Sequence, residues 1–214
     1  NYTLNLVLRD VSARGYLEGR FRVSLNNTVV LVVDGPTASR GISVPVPYGR
    51  YVLTVAPIDA AENVYATPSP MTVGIFSDTN LTVRLSRRVY TLTVAVVNDI
   101  EERLGNALVW ASDPTVGLEL ASAYTDDAGM LRLSVPAGVT LIRVTKGGYL
   151  EYEETLRVDK DATLAVQLKP TIVTLLGRFV HIIALAVVAV AIVIIALKIR
   201  AKLVERLVAP EEVF

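Results

Sequence analysis

From Phe179 to Leu197 the chain carries nineteen consecutive residues that, with the one exception of His181, are all Phe, Val, Ile, Ala or Leu. As an α-helix this run is about 28 Å long, close to the ~30 Å hydrocarbon thickness of a bilayer. It is expected to form a transmembrane helix. The alternative, a buried core helix, ordinarily runs shorter and keeps a polar stripe. Its place near the C-terminal end does not suit a cleaved signal peptide. The same run accounts for much of the 52% hydrophobic content and the mean hydropathy of +0.47.

Charges and sequons around the run suggest a direction. Lys198, Arg200 and Lys202 follow it closely, with Arg206 beyond, whereas Arg178, Lys169 and the more distant Lys160 precede it. That bias places the C-terminus in the cytoplasm. Arg178, Lys198, Arg200 and Lys202 are the expected membrane-flanking residues, with Arg178 able to snorkel outward. Three Asn-x-Thr sequons, beginning at Asn1, Asn26 and Asn80, all precede the run and become N-glycosylation acceptors if that part is exported. His181 reads as an interfacial side chain at headgroup depth, the alternative being a proton-relay or helix-contact residue. Ala184/Ala191 and Ala189/Ala196 recur at seven, a weak signal for a helix partner. Residues 198–208 keep a helical rhythm through Ile199, Leu203 and Leu207, read as the membrane helix running on, or else as an amphipathic tail on anionic lipid, with Pro210 ending it. The chain starts at Asn1 without an initiator methionine or h-region, so either a signal peptide has been removed or the segment belongs to a longer chain.

Before Pro170 the pattern changes to short Val/Leu/Thr-rich runs with strict alternation, separated by Gly, Pro, Asn and Asp. The opening phrase Tyr2, Leu4, Leu6, Leu8 returns 88 residues later as Tyr90, Leu92, Val94, Val96. Pro47, Gly49 and Tyr51–Val55 correspond to Pro136, Gly138 and Thr140–Val144, and Leu81, Val83, Leu85 to Leu164, Val166, Leu168. An internal duplication follows, with about seven strands in each copy and no useful helical period before residue 171. The expected fold is all-β: two tandem small antiparallel β-sandwich domains followed by one transmembrane α-helix. The expected boundaries are 1–86 and 87–169 for the sandwiches, 171–208 for the helix with its cytoplasmic continuation, and 209–214 for a tail.

The second copy carries a recognisable set of motifs. Thr125-Asp126-Asp127-Ala128-Gly129 is followed by Leu131, Leu133, Val135, Pro136, Gly138, Leu141, Arg143, Val144 and Gly148-Tyr149. This set resembles the carboxypeptidase regulatory-like family, a transthyretin-like sandwich, across residues 89–169. Val96-Val97-Asn98-Asp99 and Leu104-Gly105-Asn106-Ala107 also look like that family's first strand and hairpin. Pro47-Tyr48-Gly49-Arg50-Tyr51 resembles the same family or the related PEGA modules, although no Asp-x-x-Gly turn precedes it. The glycines and aspartates in these motifs read as turn-makers, so the resemblance implies a folding signature rather than catalysis.

Chemistry is sparse. The chain has no cysteine, and its single histidine lies in the apolar run, which removes a His-based zinc site, a Ser-His-Asp triad and a catalytic thiol from residues 1–170. No cofactor or metal is expected. The acidic pairs Glu101-Glu102 and Asp126-Asp127 read as solvated turns, with calcium at Asp126/Asp127 as the alternative, and neighbours such as Glu153-Glu154 point to opposite faces of a strand. With 21 basic and 21 acidic residues the net charge is zero, unlike a polybasic nucleic-acid binder. Arg87-Arg88 reads as the linker between the copies, and Trp110 as core, or alternatively as a sugar-stacking platform.

The expected function is non-catalytic: a single-pass, membrane-anchored extracytoplasmic protein displaying tandem sandwiches for protein or surface-layer interaction. Its partners would be the lipid bilayer, a protein at the cell surface or in the membrane, and a glycan as a further option. The alternatives are an accessory subunit of a membrane transport or secretion complex, and a carbohydrate-binding module of a larger surface enzyme.

Overall fold

The computed structural model describes residues 1–12 and 14–208, except for the side chains of Arg178, His181 and residues 201–208. The roles expected of the Arg178, His181, Lys202 and Arg206 side chains, and of Pro210, therefore lie outside the described residues. Contacts divide the chain into two units, one formed by Asn1–Lys146 with Glu151–Leu168, the other by Gly147–Leu150 with the segment from Lys169 onward.

The first unit holds fourteen strands in two sandwich-like bodies. The first body uses β1 (Tyr2–Asp10), β2 (Arg20–Leu25), β3 (Thr28–Asp34), β4 (Ile42–Val46), β5 (Gly49–Ile58), β6 (Met71–Ile75) and β7 (Thr79–Leu85). The second uses β8 (Val89–Asn98), β9 (Leu108–Ser112), β10 (Glu119–Tyr124), β11 (Met130–Pro136), β12 (Gly138–Thr145), β13 (Tyr152–Val158) and β14 (Ala162–Leu168). Strand orders are β4-β1-β7 and β3-β2-β5-β6 in the first, β11-β8-β14 and β10-β9-β12-β13 in the second. Adding seven to each strand number converts one body into the other, as a duplication requires. The capping detail repeats as well: Asp78 accepts from the amide of Thr3 at 2.7 Å, and Asp161 from that of Thr91 at 2.7 Å. The strand pairs are antiparallel except β1 with β7 and β8 with β14, where the last strand of each body closes parallel to its first.

The alternation in the sequence becomes the two faces of each sheet, because successive side chains on a strand point to opposite sides. Leu4, Leu6 and Leu8 on β1 and Leu92, Val94 and Val96 on β8 are all at most 1% exposed, while the residues between them face outward. Two features depart from expectation. A six-residue helix, α1 (Gly35–Arg40), fills the β3–β4 connection; Asp34 caps it by accepting from the Thr37 amide at 2.9 Å, and Pro36 follows in the first turn. So short a helix leaves no periodic signal. Trp110 is not core: Val109 and Ala111 point inward from β9, and Trp110 sits half-buried on the outer face beneath the Arg143 guanidinium, 5.4 Å from its ring centre. Arg143 also pairs with Glu151 and Glu153, completing a cross-strand ladder.

In the second unit, α2 runs from Ile172 to Val208, starting seven residues before the apolar run and continuing unbroken past it. Among the described residues it is the one helix long and apolar enough to cross a membrane, with a mean hydropathy of 3.2 in its apolar window and none of that window buried.

Candidate functional site

The densest polar arrangement in the first unit is at the junction of its two bodies. It is built by the β1–β2 loop, the β7–β8 connection and the loops of the second body that meet them. The β11–β12 turn, Pro136-Ala137-Gly138, brings a fully buried Ala137 into the hydrophobic cluster of the first body. Around that plug lie two buried guanidiniums.

Arg87 is 7% exposed. Its Nε donates to Asp10 Oδ2 at 2.6 Å, one Nη to Glu18 Oε1 at 2.6 Å and to the Ala137 carbonyl at 2.8 Å, and the other Nη to the Tyr16 carbonyl at 2.9 Å. The rings of Tyr16 and Tyr65 flank it, with centres 5.1 Å and 5.3 Å away. Burial works against the charge, but the bonds to Glu18 and Asp10 outweigh it and raise the Arg87 pKa further. Burial also pushes the Tyr65 phenol up, so it remains a donor and a neutral ring under the cation. Glu18 extends the network to Arg157 of the second body at 3.0 Å.

Arg14, 2% exposed, reaches from the first body's loop into the second. It donates to the carbonyls of Val139 and Pro136 at 2.7 and 3.1 Å and to the Thr140 hydroxyl at 2.9 Å. Its Nε lies 3.5 Å from Asp113 Oδ2, close enough for charge attraction although no hydrogen bond forms. Tyr16 donates to that same carboxylate oxygen at 2.9 Å. Gly138 has φ +128°, and a Cβ built there would lie 2.4 Å from an Nη of both Arg14 and Arg87. The glycine of the Pro-x-Gly motif is therefore the opening through which two guanidiniums pass.

Burial alone would raise the Asp113 carboxyl, but amides of Thr115 and Val116, the Tyr16 hydroxyl and Arg14 hold it below its ordinary value of 3.8. A carboxylate with a folded-state pKa below the unfolded one stabilises above the unfolded value and loses that contribution as pH falls through the folded one. Asp113→Asn is accordingly expected to flatten the stability profile below about pH 3.8 while leaving its slope above pH 5 unchanged, a result checked by chemical denaturation across that range.

The junction holds cations, carboxylates and phenols that satisfy one another across the two bodies. Of the residues singled out in the sequence, Arg87 belongs to it: it lies in the connection between the two copies, as expected, and is buried there as a clamp, while Gly138 belongs as a steric opening in addition to a turn. Arg88 remains exposed and donates to the Glu62 carbonyl at 2.9 Å. Asp10, Arg14, Tyr16, Glu18 and Asp113 were not legible as a set. The one available signal was position, since a charged loop at the end of β1 and a basic pair sit at the seams of the repeat.

The other expected positions lie elsewhere. Asn1, Asn26 and Asn80 are all exposed. Asn26, in the β2–β3 turn, accepts from the Val52 amide of β5 at 2.8 Å, and Asn80 on the outer face of β7 accepts from the Asn5 side chain at 2.9 Å. Asp126 accepts from the Met130 amide at 2.8 Å within its own turn, where Gly129 takes φ +68°. Thr125, 2% exposed, donates to the Leu104 carbonyl at 2.7 Å and accepts from the Ala107 amide at 2.9 Å. The Thr-Asp-x-x-Gly motif thus fastens the β10–β11 turn to the loop before β9. Lys198 and Arg200 lie exposed on the last part of the apolar helix.

No known family pattern and no curated protein matches the chain by sequence. Among solved structures it is similar to the Bacillus anthracis TIE protein, with 17% identity and a TM-score of 0.48 over 80% of this chain, which spans 34% of that one. It is also similar to the minor pilin of Streptococcus agalactiae, at 14% identity and TM-score 0.36 over 80% of this chain and 97% of the pilin. A third is the shaft pilin of Lactobacillus rhamnosus GG, at 11% identity and TM-score 0.34 over 79% and 98%. The chain thus spans about a third of the length of the first of these proteins, and all three scores are below the level at which two chains are ordinarily said to share a fold.

Proposed function

We propose that the protein is a single-pass membrane-anchored display protein, non-catalytic, whose two joined β bodies stand outside the cytoplasm and engage a protein partner or surface layer. The observation that carries this reading is the uncovered apolar helix. Between residues 172 and 199, most of the large apolar side chains among the described residues are more than half exposed, among them Val173 at 79%, Leu185 at 72% and Val187 at 62%. Leaving a Val, Leu or Ile in water forgoes about 1.5–3 kcal/mol each. A run of such residues in one continuous helix requires a non-aqueous surrounding, and its length suits a bilayer. The basic residues Lys198 and Arg200 support a cytoplasmic C-terminus, and Asn1, Asn26 and Asn80 then become the glycan acceptors. The polar groups of the junction serve to couple the bodies, which fits display better than turnover.

The test is fractionation followed by protease treatment of intact cells. The chain is expected to stay with membranes through alkaline carbonate washing and to lose residues 1–169 to external protease while the C-terminal tail survives. Release into the wash would overturn the anchor, and digestion confined to the tail would invert the orientation.

A further inference from the structure

The second unit holds an arrangement that the anchor itself does not need. Gly147–Leu150, the connection between β12 and β13, lies against the start of α2 although some twenty residues separate them in sequence. Tyr149 and Pro170 form an antiparallel bridge, and the Leu150 amide donates to the Lys169 carbonyl at 2.8 Å. The Gly148 carbonyl accepts twice, from the Thr171 amide at 2.9 Å and from the Thr174 hydroxyl at 2.6 Å. The first turn of a helix has amides without intrahelical partners, and here a remote loop supplies an acceptor for that end. Only glycine fits: Gly148 has φ +86°, and a Cβ there would lie 2.7 Å from Thr174 Oγ1.

The loop is thereby fixed at the level of residues 169–174. The apolar surface of α2 begins at that level, with Ile172 76% and Val173 79% exposed, so a membrane receiving the helix has its boundary within about one turn of Thr171. At that depth the loop presents Leu150, 54% exposed, and Tyr149, half-buried, beside the exposed Lys169. An apolar side chain, an amphipathic ring and a cation are the residue types that settle among lipid headgroups.

We propose that the Gly147–Leu150 loop is a second membrane contact, in which Tyr149 and Leu150 rest in the lipid headgroup layer and Gly148 locks them to the start of the helix. The occupant is lipid, because the loop is continuous with the helix surface assigned to the bilayer, and the proposal rests on that assignment.

Tryptophan fluorescence in vesicles tests both. Trp110 is the sole tryptophan, so the full chain carrying Trp110→Phe is a dark background. Leu150→Trp and, separately, Leu185→Trp are introduced into it and reconstituted in phosphatidylcholine brominated close to the headgroup or near the chain ends. Leu150→Trp is expected to lose its emission chiefly to the shallow bromines, and Leu185→Trp chiefly to the deep ones. Adding Gly148→Val should abolish quenching of Leu150→Trp while that of Leu185→Trp persists. If Leu185→Trp is quenched and Leu150→Trp is not, the loop contact is wrong and the anchor stands. If Gly148→Val leaves Leu150→Trp quenched, the lock is wrong. If Leu185→Trp is quenched at neither depth, the anchor fails and the loop contact with it.

Discussion

Arg87→Met is expected to lower the stability of the full chain in detergent by about 3–5 kcal/mol, because it strands the Asp10 carboxylate that the fold has already desolvated and leaves Glu18 with Arg157 alone. The Arg87 side chain is 1% exposed and its partners Asp10 and Glu18 are 0% and 16% exposed. Removing one partner of a buried pair costs far more than the pair contributes net, since the remaining charge has neither water nor a counter-ion. The adjacent residue is the control. Arg88 is exposed and makes one side-chain bond to a backbone carbonyl, so Arg88→Met should cost under about 1.5 kcal/mol. Trp110 fluorescence during urea unfolding measures both variants. Equal losses at the two positions would show that the junction is not the clamp described here.

The second large effect is expected at Gly138. Gly138→Ala must place a methyl group 2.4 Å from two guanidinium nitrogens and hold an L-residue at φ +128°. Flexible side chains ordinarily move aside, but Arg14 and Arg87 are buried and each tied by several bonds. Backbone strain of ~1–3 kcal/mol and the disturbance of charged hydrogen bonds worth ~1.5–3 kcal/mol each give an expected loss of about 3 kcal/mol or more. The corresponding glycine of the first body is Gly49, outside the left-handed region, where a Cβ would meet only the Tyr51 ring at 3.4 Å. Gly49→Ala should therefore cost less than about 1 kcal/mol. In an Arg87→Met background the cost of Gly138→Ala should shrink, because one of the two clashes is gone and contacting residues do not add independently. Full additivity would argue that the strain lies in the backbone alone.

The strands, their number and their inward faces were legible because burial on a sheet has period two and nothing else in the chain competes with it. Tyr2 to Leu8 and Tyr90 to Val96 announce β1 and β8 by themselves, and a repeat spacing of 88 residues announces the second body once the first is seen. The Thr125–Gly129 turn was readable for a related reason, since an aspartate that binds its own turn and a glycine at positive φ are local requirements. Trp110 was misread because adjacent apolar residues do not say which of them faces in; Arg143, more than thirty residues away, covers its outer side.

Composition and periodicity determined that this chain has an all-β part and one apolar helix of bilayer length, because both depend on side chains a few residues apart. Only the tertiary structure decided what the charges at the repeat seams are for. Arg14 and Asp113, or Arg87 and Glu18, acquire meaning when loops some seventy to a hundred residues apart close on one another. A charge alone in the sequence reads as solvated, and it takes the desolvation imposed by two packed bodies to turn it into the tie between them.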